Sequence, residues 1–94
     1  MAERHTCAHS ADVMRRLSRI EGQIKGIKEM VSDGRHCEEL LTQLSAVSSA
    51  VTQVARVILT EHLEHCIAEG YANNDEEGVL QSLEQAVDQF AKLK

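Results

Sequence analysis

The sequence has no proline, no tryptophan and only two aromatic residues, Tyr71 and Phe90, among its 94 positions. Proline breaks helices because it removes a backbone donor, so its absence permits long uninterrupted helices. Aromatic side chains normally supply much of the bulk of a small core, and here the core must rest on Leu, Ile, Val, Ala and Met. These absences favour extended helices that complete the burial of their apolar faces against another copy of the chain.

Long apolar runs are also missing. No stretch approaches the roughly 18 apolar residues that a membrane span needs, and the N-terminal residues 1–5 contain no apolar segment of the kind found in signal peptides. The sequence has only three cysteines, an odd number that argues against a disulfide framework; they are Cys7, Cys37 and Cys66. These features predict a cytoplasmic protein with reduced thiols and no membrane partner.

The net charge of −5 is unevenly distributed along the chain. Residues 1–37 carry seven Lys or Arg against five Asp or Glu, whereas residues 38–94 carry three against ten. An acidic protein still binds DNA when its basic residues share one face and the symmetry of an oligomer repeats that face. The charge alone therefore argues only weakly against a nucleic-acid partner.

Apolar periodicity predicts a first helix from about Ser10, a favourable N-cap, to about Asp33, followed by Gly34 as the residue after the C-cap. Its apolar residues recur at spacings of 4, 3, 4, 3 and 4, as on one face of a helix in an antiparallel pair. They are Val13, Leu17, Ile20, Ile24, Ile27 and Val31.

Two further helices are predicted, one from about Cys37 to about Gly70 and a shorter one from about Asp75 to Leu93, with a polar break over 71–75. The second helix repeats its apolar residues at the same spacings as the first. They are Leu40, Leu44, Val47, Val51, Val54 and Ile58. Because only a short connection joins the first two helices, they are expected to form an antiparallel hairpin.

The predicted fold class is all-α: a three-helix protomer with a long antiparallel helical hairpin and a short third helix. The chain is expected to be a single helical domain over residues 1–94, with a flexible N-terminal tail at 1–9. A rod formed by two such long helices would leave a broad stripe of apolar side chains exposed to water. Dimerisation into a four-helix bundle would bury that stripe, so we expect a homo-oligomer.

The residues that indicate chemistry are Cys37, His62 and Cys66. His62 and Cys66 are four apart, so they share one helix face and can bind one ion, although a Cys on such a face is commonly just a small buried apolar residue. Cys37 precedes His62 by 25 residues, about 38 Å along a continuous helix, so one chain cannot bring all three together. An antiparallel partner can, and the sequence therefore predicts a metal site between subunits.

Further candidate ligands lie near the N-terminus, where His5 could reach the His62 and Cys66 pair from the start of the hairpin. Cys7 and His9 are better explained as incidental residues of a tail, and His36 and His65 as solvated neighbours of the site. Two thiolates and one imidazole favour three-coordinate Cu(I). With His5 added, the set suits Zn(II), or Ni(II) in a planar arrangement.

Several stretches together resemble the CsoR/RcnR/FrmR family of small helical metal-sensing repressors. They are residues 16–27 (RLSRIEGQIKGI), Cys37, residues 44–47 (LSAV) and residues 62–66 (HLEHC), and the resemblance covers residues 10–92. It implies a dimer of dimers, a homotetramer, that binds operator DNA without ligand and releases it when the sensor site is filled.

Members of that family are sorted by four positions, which are His5, Cys37, His62 and Cys66 in this chain. The last three resemble the Cu(I)-sensing pattern, and all four together resemble the nickel-sensing InrS branch. Copper-sensing members usually have a Tyr before the first Cys and a Glu on the third helix. This chain has His36 and Ser82 at those positions, which is a departure from the copper pattern.

The same resemblance implies DNA contacts from basic residues of the first helix and from the middle of the second. The matching positions are Arg15, Arg16, Arg19, Gln53 and Arg56. No helix-turn-helix is evident, so we expect a flat basic face that tetramer symmetry repeats and whose affinity for phosphates falls with salt. The alternative is an ordinary solvated helix face.

The function predicted from the sequence is therefore a Cu(I)-responsive transcriptional repressor. An alternative is a Ni(II) or Zn(II) sensor that also uses His5, and a further alternative is a cytosolic metal storage or delivery protein without DNA binding. A di-iron oxidase would need Glu-x-x-His motifs, which the sequence does not contain. We do not expect an enzyme.

Overall fold

A computed structural model of the chain describes residues 9–93, apart from the side chains of Cys66 and Tyr71. Three α-helices occupy most of this range: α1 (Ala11–Ser32), α2 (Cys37–Asn73) and α3 (Glu76–Ala91). Residues 9–93 contain no strand, so the predicted all-α class is confirmed. Within the same range no helix is both long and apolar enough to cross a bilayer.

The ends of α1 agree with the sequence-based prediction to within one residue. Ser10 is the N-cap and has an extended backbone, with a ψ of 161°. After Ser32 the chain turns at Gly34, whose φ of 69° lies in the left-handed region that glycine adopts without strain. The backbone amide of Arg35 then bonds to the carbonyl of Met30 at 3.0 Å and completes the turn.

The chain divides into two compact units, and the first, Ser10–Val54, contains α1 and the beginning of α2. Its buried apolar residues fall seven apart along each helix; they are Val13, Ile20, Ile27, Val47 and Val54. The apolar residues between them along the predicted stripes are exposed by 39% to 59%; they are Leu17, Ile24, Val31, Leu44 and Val51. Each apolar stripe is therefore only half covered within the protomer.

The second unit combines His9 with the described part of Ala55–Lys94, which is the remainder of α2 and α3. The α2 helix runs three residues beyond the predicted end at Gly70, and the break shortens to Asn74, with a φ of 55°, and Asp75. Asp75 is the N-cap of α3, and its side chain accepts a hydrogen bond from the amide of Gly78 at 3.0 Å. Gly70 has a packing role instead of ending the helix, because a Cβ there would overlap the side chain of Val79.

We expect Gly70→Ala to destabilise the protein, although Ala is the better helix former by about 1 kcal/mol. The added methyl group would overlap Val79 of α3, and over-packing of this kind costs about 1–3 kcal/mol. Thermal unfolding followed by circular dichroism measures the effect. Gly22→Ala is the matched control, because a Cβ at Gly22 meets nothing within 4 Å and should raise the melting temperature. Equal stability of the two variants would contradict the packing role of Gly70.

Candidate functional site

The imidazole of His62 is fixed by a hydrogen bond between two helices. His62 is half-buried on α2, and its Nε2 lies 2.9 Å from Oγ of Ser82 on α3. A metal-binding histidine characteristically has a second polar partner of this kind, which sets the orientation and tautomer of the ring. Ser82 therefore holds the ring of His62 in a defined direction, one helical turn before Cys66.

The other predicted ligands have different places in the structure. Cys66 follows His62 by one turn of α2, which confirms the helical spacing of the pair, and nothing is described of its side chain. Cys37 is the first residue of α2 and carries a free, exposed thiol. His5 and Cys7 lie outside the described residues. Among the side chains that the structure describes, no three metal-binding groups meet, so the ligand set stays a prediction.

Three of the residues predicted to bind DNA come together in the unit Ser10–Val54. Arg16 and Arg19 of α1 and Gln53 of α2 line one open concavity, together with Ile20 and Ala50. A concave surface with two guanidinium groups and an amide offers donors to an anionic group such as a phosphate. Arg15 is exposed on α1, and Arg56 is exposed on the part of α2 that belongs to the other unit.

Asp12 organises two of these arginines, and the sequence analysis did not identify it. Its carboxylate accepts a hydrogen bond from Nε of Arg16 at 2.9 Å and another from Arg15. The hydrogen bond from Arg16 is the main cause that lowers the pKa of Asp12, so the carboxylate stays ionised at neutral pH. The spacing of three and four residues before two arginines on one helix was the available signal.

Two pairs of imidazole and carboxylate side chains involve the part of α2 around His62. Nδ1 of His9 lies 2.8 Å from Oε1 of Glu61, and Nε2 of His65 lies 2.8 Å from Oε2 of Glu69. Sequence reasoning treated His9 as part of a tail and missed Glu61. No pattern in the sequence marks that pair, because its members are 52 residues apart.

Comparison with known proteins places these features in a family. A model of the metal-sensitive transcriptional repressors matches residues 9–93. The copper-sensing transcriptional repressor CsoR of Bacillus subtilis (strain 168) is 40% identical over 81 residues, which are 86% of this chain and 77% of that protein.

Two solved structures share the fold. The nickel-responsive transcriptional regulator InrS matches with a TM-score of 0.80 and 41% identity, over 94% of this chain and 99% of that one. The copper-sensing repressor CsoR with Cu(I) from Geobacillus thermodenitrificans NG80-2 matches with a TM-score of 0.82 and 34% identity, over 97% and 99% of the two chains. The chain therefore belongs to the family of metal-sensitive transcriptional repressors, whose members are regulators and not enzymes.

Proposed function

We propose that this protein is a cytosolic repressor that binds operator DNA in its apo form and leaves the DNA when Cu(I) binds Cys37, His62 and Cys66. Cys37 comes from one subunit, and His62 and Cys66 come from its antiparallel partner. The observation that carries the proposal is the half-buried ring of His62, held by Ser82 one helical turn before Cys66. Family membership and the likeness to two copper-sensing repressors support it.

The donor set fits a soft metal ion. Two thiolates and one imidazole suit Cu(I), which takes soft ligands at low coordination number. The hydrogen bond to Ser82 orients the ring of His62 before the metal binds, so less conformational entropy is lost on binding. Because the three ligands belong to two subunits, binding changes how those subunits pack, and this is the requirement for a switch.

The second candidate function is a Ni(II) sensor, or a Zn(II) sensor, that adds His5 as a fourth ligand. The observation in its favour is Ser82, a hydroxyl that contacts His62 where the copper-sensing pattern has a carboxylate. The 41% identity with a nickel-responsive regulator also supports this alternative. Metal storage without DNA binding is the remaining alternative, and family membership argues against it.

The half-covered apolar stripes support assembly with a second copy of the chain. Leu17, Ile24 and Val31 of α1 are 41%, 47% and 59% exposed, although they continue the same stripe as the buried residues. Surfaces of this kind in a small protein are normally covered by a partner. Pairing two protomers as a four-helix bundle would cover them. Pairing two such dimers would give the tetramer that the resemblance to the family implies.

The test of this function uses fluorescence anisotropy with labelled DNA from upstream of the protein's own gene. Reduced apo protein is titrated into the DNA, and Cu(I), Ni(II) and Zn(II) are then added in separate experiments. We expect apo protein to bind and one metal to release it, with a change in affinity of about 5- to 150-fold. Failure of the apo protein to bind, together with binding of several ions per chain, would favour metal storage instead.

Ser82→Ala is expected to weaken metal binding by about 10- to 100-fold, because His62 would lose the hydrogen bond that orients its ring. Competition against a chromophoric chelator measures the affinity for each metal. Gln81→Ala is a suitable control, since Gln81 is the exposed neighbour of Ser82 on α3. Unchanged affinity in Ser82→Ala would show that this contact has no part in the metal site.

A further inference from the structure

The carboxylate of Asp12 binds two arginines at the start of α1. Its Oδ2 accepts a hydrogen bond from Nε of Arg16 at 2.9 Å, and its Oδ1 accepts one from Arg15. The side chain of Arg16 is 38% exposed, whereas that of Arg15 is 69% exposed. Exposed ion pairs within one helical turn contribute little to the stability of a protein. The consequence of this arrangement therefore lies in the orientation and the charge of the arginines.

Asp12 binds Arg16 through the Nε of its guanidinium group. A guanidinium has five N–H donors, so this bond leaves donors on the two terminal nitrogens for another acceptor. Arg16 also lines the concavity that it shares with Arg19 and Gln53. A guanidinium that a carboxylate fixes on one side can bind a phosphate oxygen or a base edge with the other. Asp12 is therefore placed to orient Arg16 for a contact made from the concavity.

Asp12 also changes the charge at this end of α1. Its pKa lies below the ordinary value, chiefly because Arg16 donates a hydrogen bond to it, so the carboxylate is ionised at neutral pH. One negative charge then lies beside the two positive charges of Arg15 and Arg16. Sequence-independent binding to DNA is mainly electrostatic, and a carboxylate close to phosphates weakens it. The same side chain therefore reduces the attraction of any duplex.

We infer that Asp12 determines the DNA specificity of the face that carries Arg16, Arg19 and Gln53, because it orients Arg16 for the operator and weakens the attraction of DNA in general. The inference rests on the proposed function and deepens it, since it assigns a residue that distinguishes operator DNA from other DNA. A long side chain that is held in place before binding loses less conformational entropy on binding. This advantage applies only where the DNA offers an acceptor at the right position, whereas the charge of Asp12 acts on every duplex. Both effects raise the ratio of operator affinity to non-specific affinity.

Fluorescence anisotropy with two labelled duplexes tests the inference. One is promoter DNA from upstream of the protein's own gene, and the other has the same length and base composition in scrambled order. Reduced apo protein is measured as wild type, Asp12→Asn, Arg16→Ala and the combination. We expect Asp12→Asn to weaken binding to promoter DNA about 3- to 10-fold and to strengthen binding to the scrambled duplex about twofold. In the Arg16→Ala background Asp12→Asn should no longer weaken binding to promoter DNA, because the side chain that Asp12 orients is gone.

Glu21→Gln is the matched control, because Glu21 is an exposed carboxylate of α1 for which no arginine partner is described within residues 9–93. It should change binding to the two duplexes by the same factor. Equal strengthening of both duplexes by Asp12→Asn would mean that only net charge matters, and equal weakening would reveal a structural defect; either result would overturn the inference. So would additive effects of Asp12→Asn and Arg16→Ala on promoter DNA. A wild-type protein without a preference for promoter DNA would instead contradict the proposed function, before any variant is compared.

Discussion

Cys37→Ala is expected to abolish the release of DNA by metal while leaving DNA binding by the apo protein intact. The substitution removes one of the two thiolates in the proposed site and with it the only proposed ligand that comes from the second subunit. Metal held by His62 and Cys66 alone would no longer connect two subunits, so it could not favour one packing over another. The change of about 5- to 150-fold expected for the wild type should disappear. Anisotropy on promoter DNA with and without metal measures it.

The exposure of Cys37 makes this variant easy to interpret. Its thiol is free and exposed at the first residue of α2, so replacement by Ala creates no cavity in the protomer. Cys7→Ala serves as the control, because it removes one thiol that the proposed Cu(I) site does not use. Normal release by metal in Cys37→Ala would contradict the intersubunit site. Loss of release in both variants would point to a general dependence on thiols.

Arg16→Ala is expected to reduce the affinity for operator DNA at least tenfold, which corresponds to about 1.4 kcal/mol of binding free energy. Arg16 lines the concavity of the unit Ser10–Val54 together with Arg19 and Gln53, and Asp12 fixes the direction of its guanidinium group. The logarithm of the binding constant falls linearly with the logarithm of the salt concentration, and each lost phosphate contact should make this negative slope shallower by about 0.9. Because an oligomer repeats Arg16, the change in slope should exceed that of a single contact.

The control for Arg16→Ala is Lys92→Ala, which removes the same charge from an exposed position at the end of α3. Affinity is measured at several salt concentrations for both variants. If Arg16 contacts a phosphate, the salt dependence of binding should become shallower in Arg16→Ala and stay unchanged in Lys92→Ala. Equal losses in the two variants would mean that only the net charge of the protein matters and would contradict a defined DNA-binding face.

The sequence predicted the helices well because their signals are local. The stripes of apolar residues, the N-cap Ser10 and the turn at Gly34 each act over a few residues, and the structure confirms them. The end of α2 was predicted three residues too early, because Gly70 looks like a terminator in sequence. A glycine is needed at this position because Val79 approaches it closely, which is a tertiary contact. Local patterns cannot distinguish these two uses of glycine.

The candidate site was predictable only in part for the same reason. The spacing of His62 and Cys66 on one helix is a local property that the sequence displays. The hydrogen bond between Ser82 and His62 spans 20 residues and depends on how α3 packs on α2. The contact between His9 and Glu61 spans 52 residues and has no periodic signal at all. Residues that orient ligands, unlike the ligands, have no characteristic side-chain type, so they become visible only when the fold is known.

The proposed metal site joins two subunits, and mixed assemblies test this most directly. Chains with Cys37→Ala and chains with Cys66→Ala are given different affinity tags, assembled together and purified as mixed dimers. If the site lies between subunits, each mixed dimer contains one complete ligand set and one that lacks both thiolates, so it should bind one Cu(I) tightly. Neither variant assembled alone should do so. Absence of tight binding in the mixed dimer would contradict the claim, because a site within one chain would be damaged in every subunit.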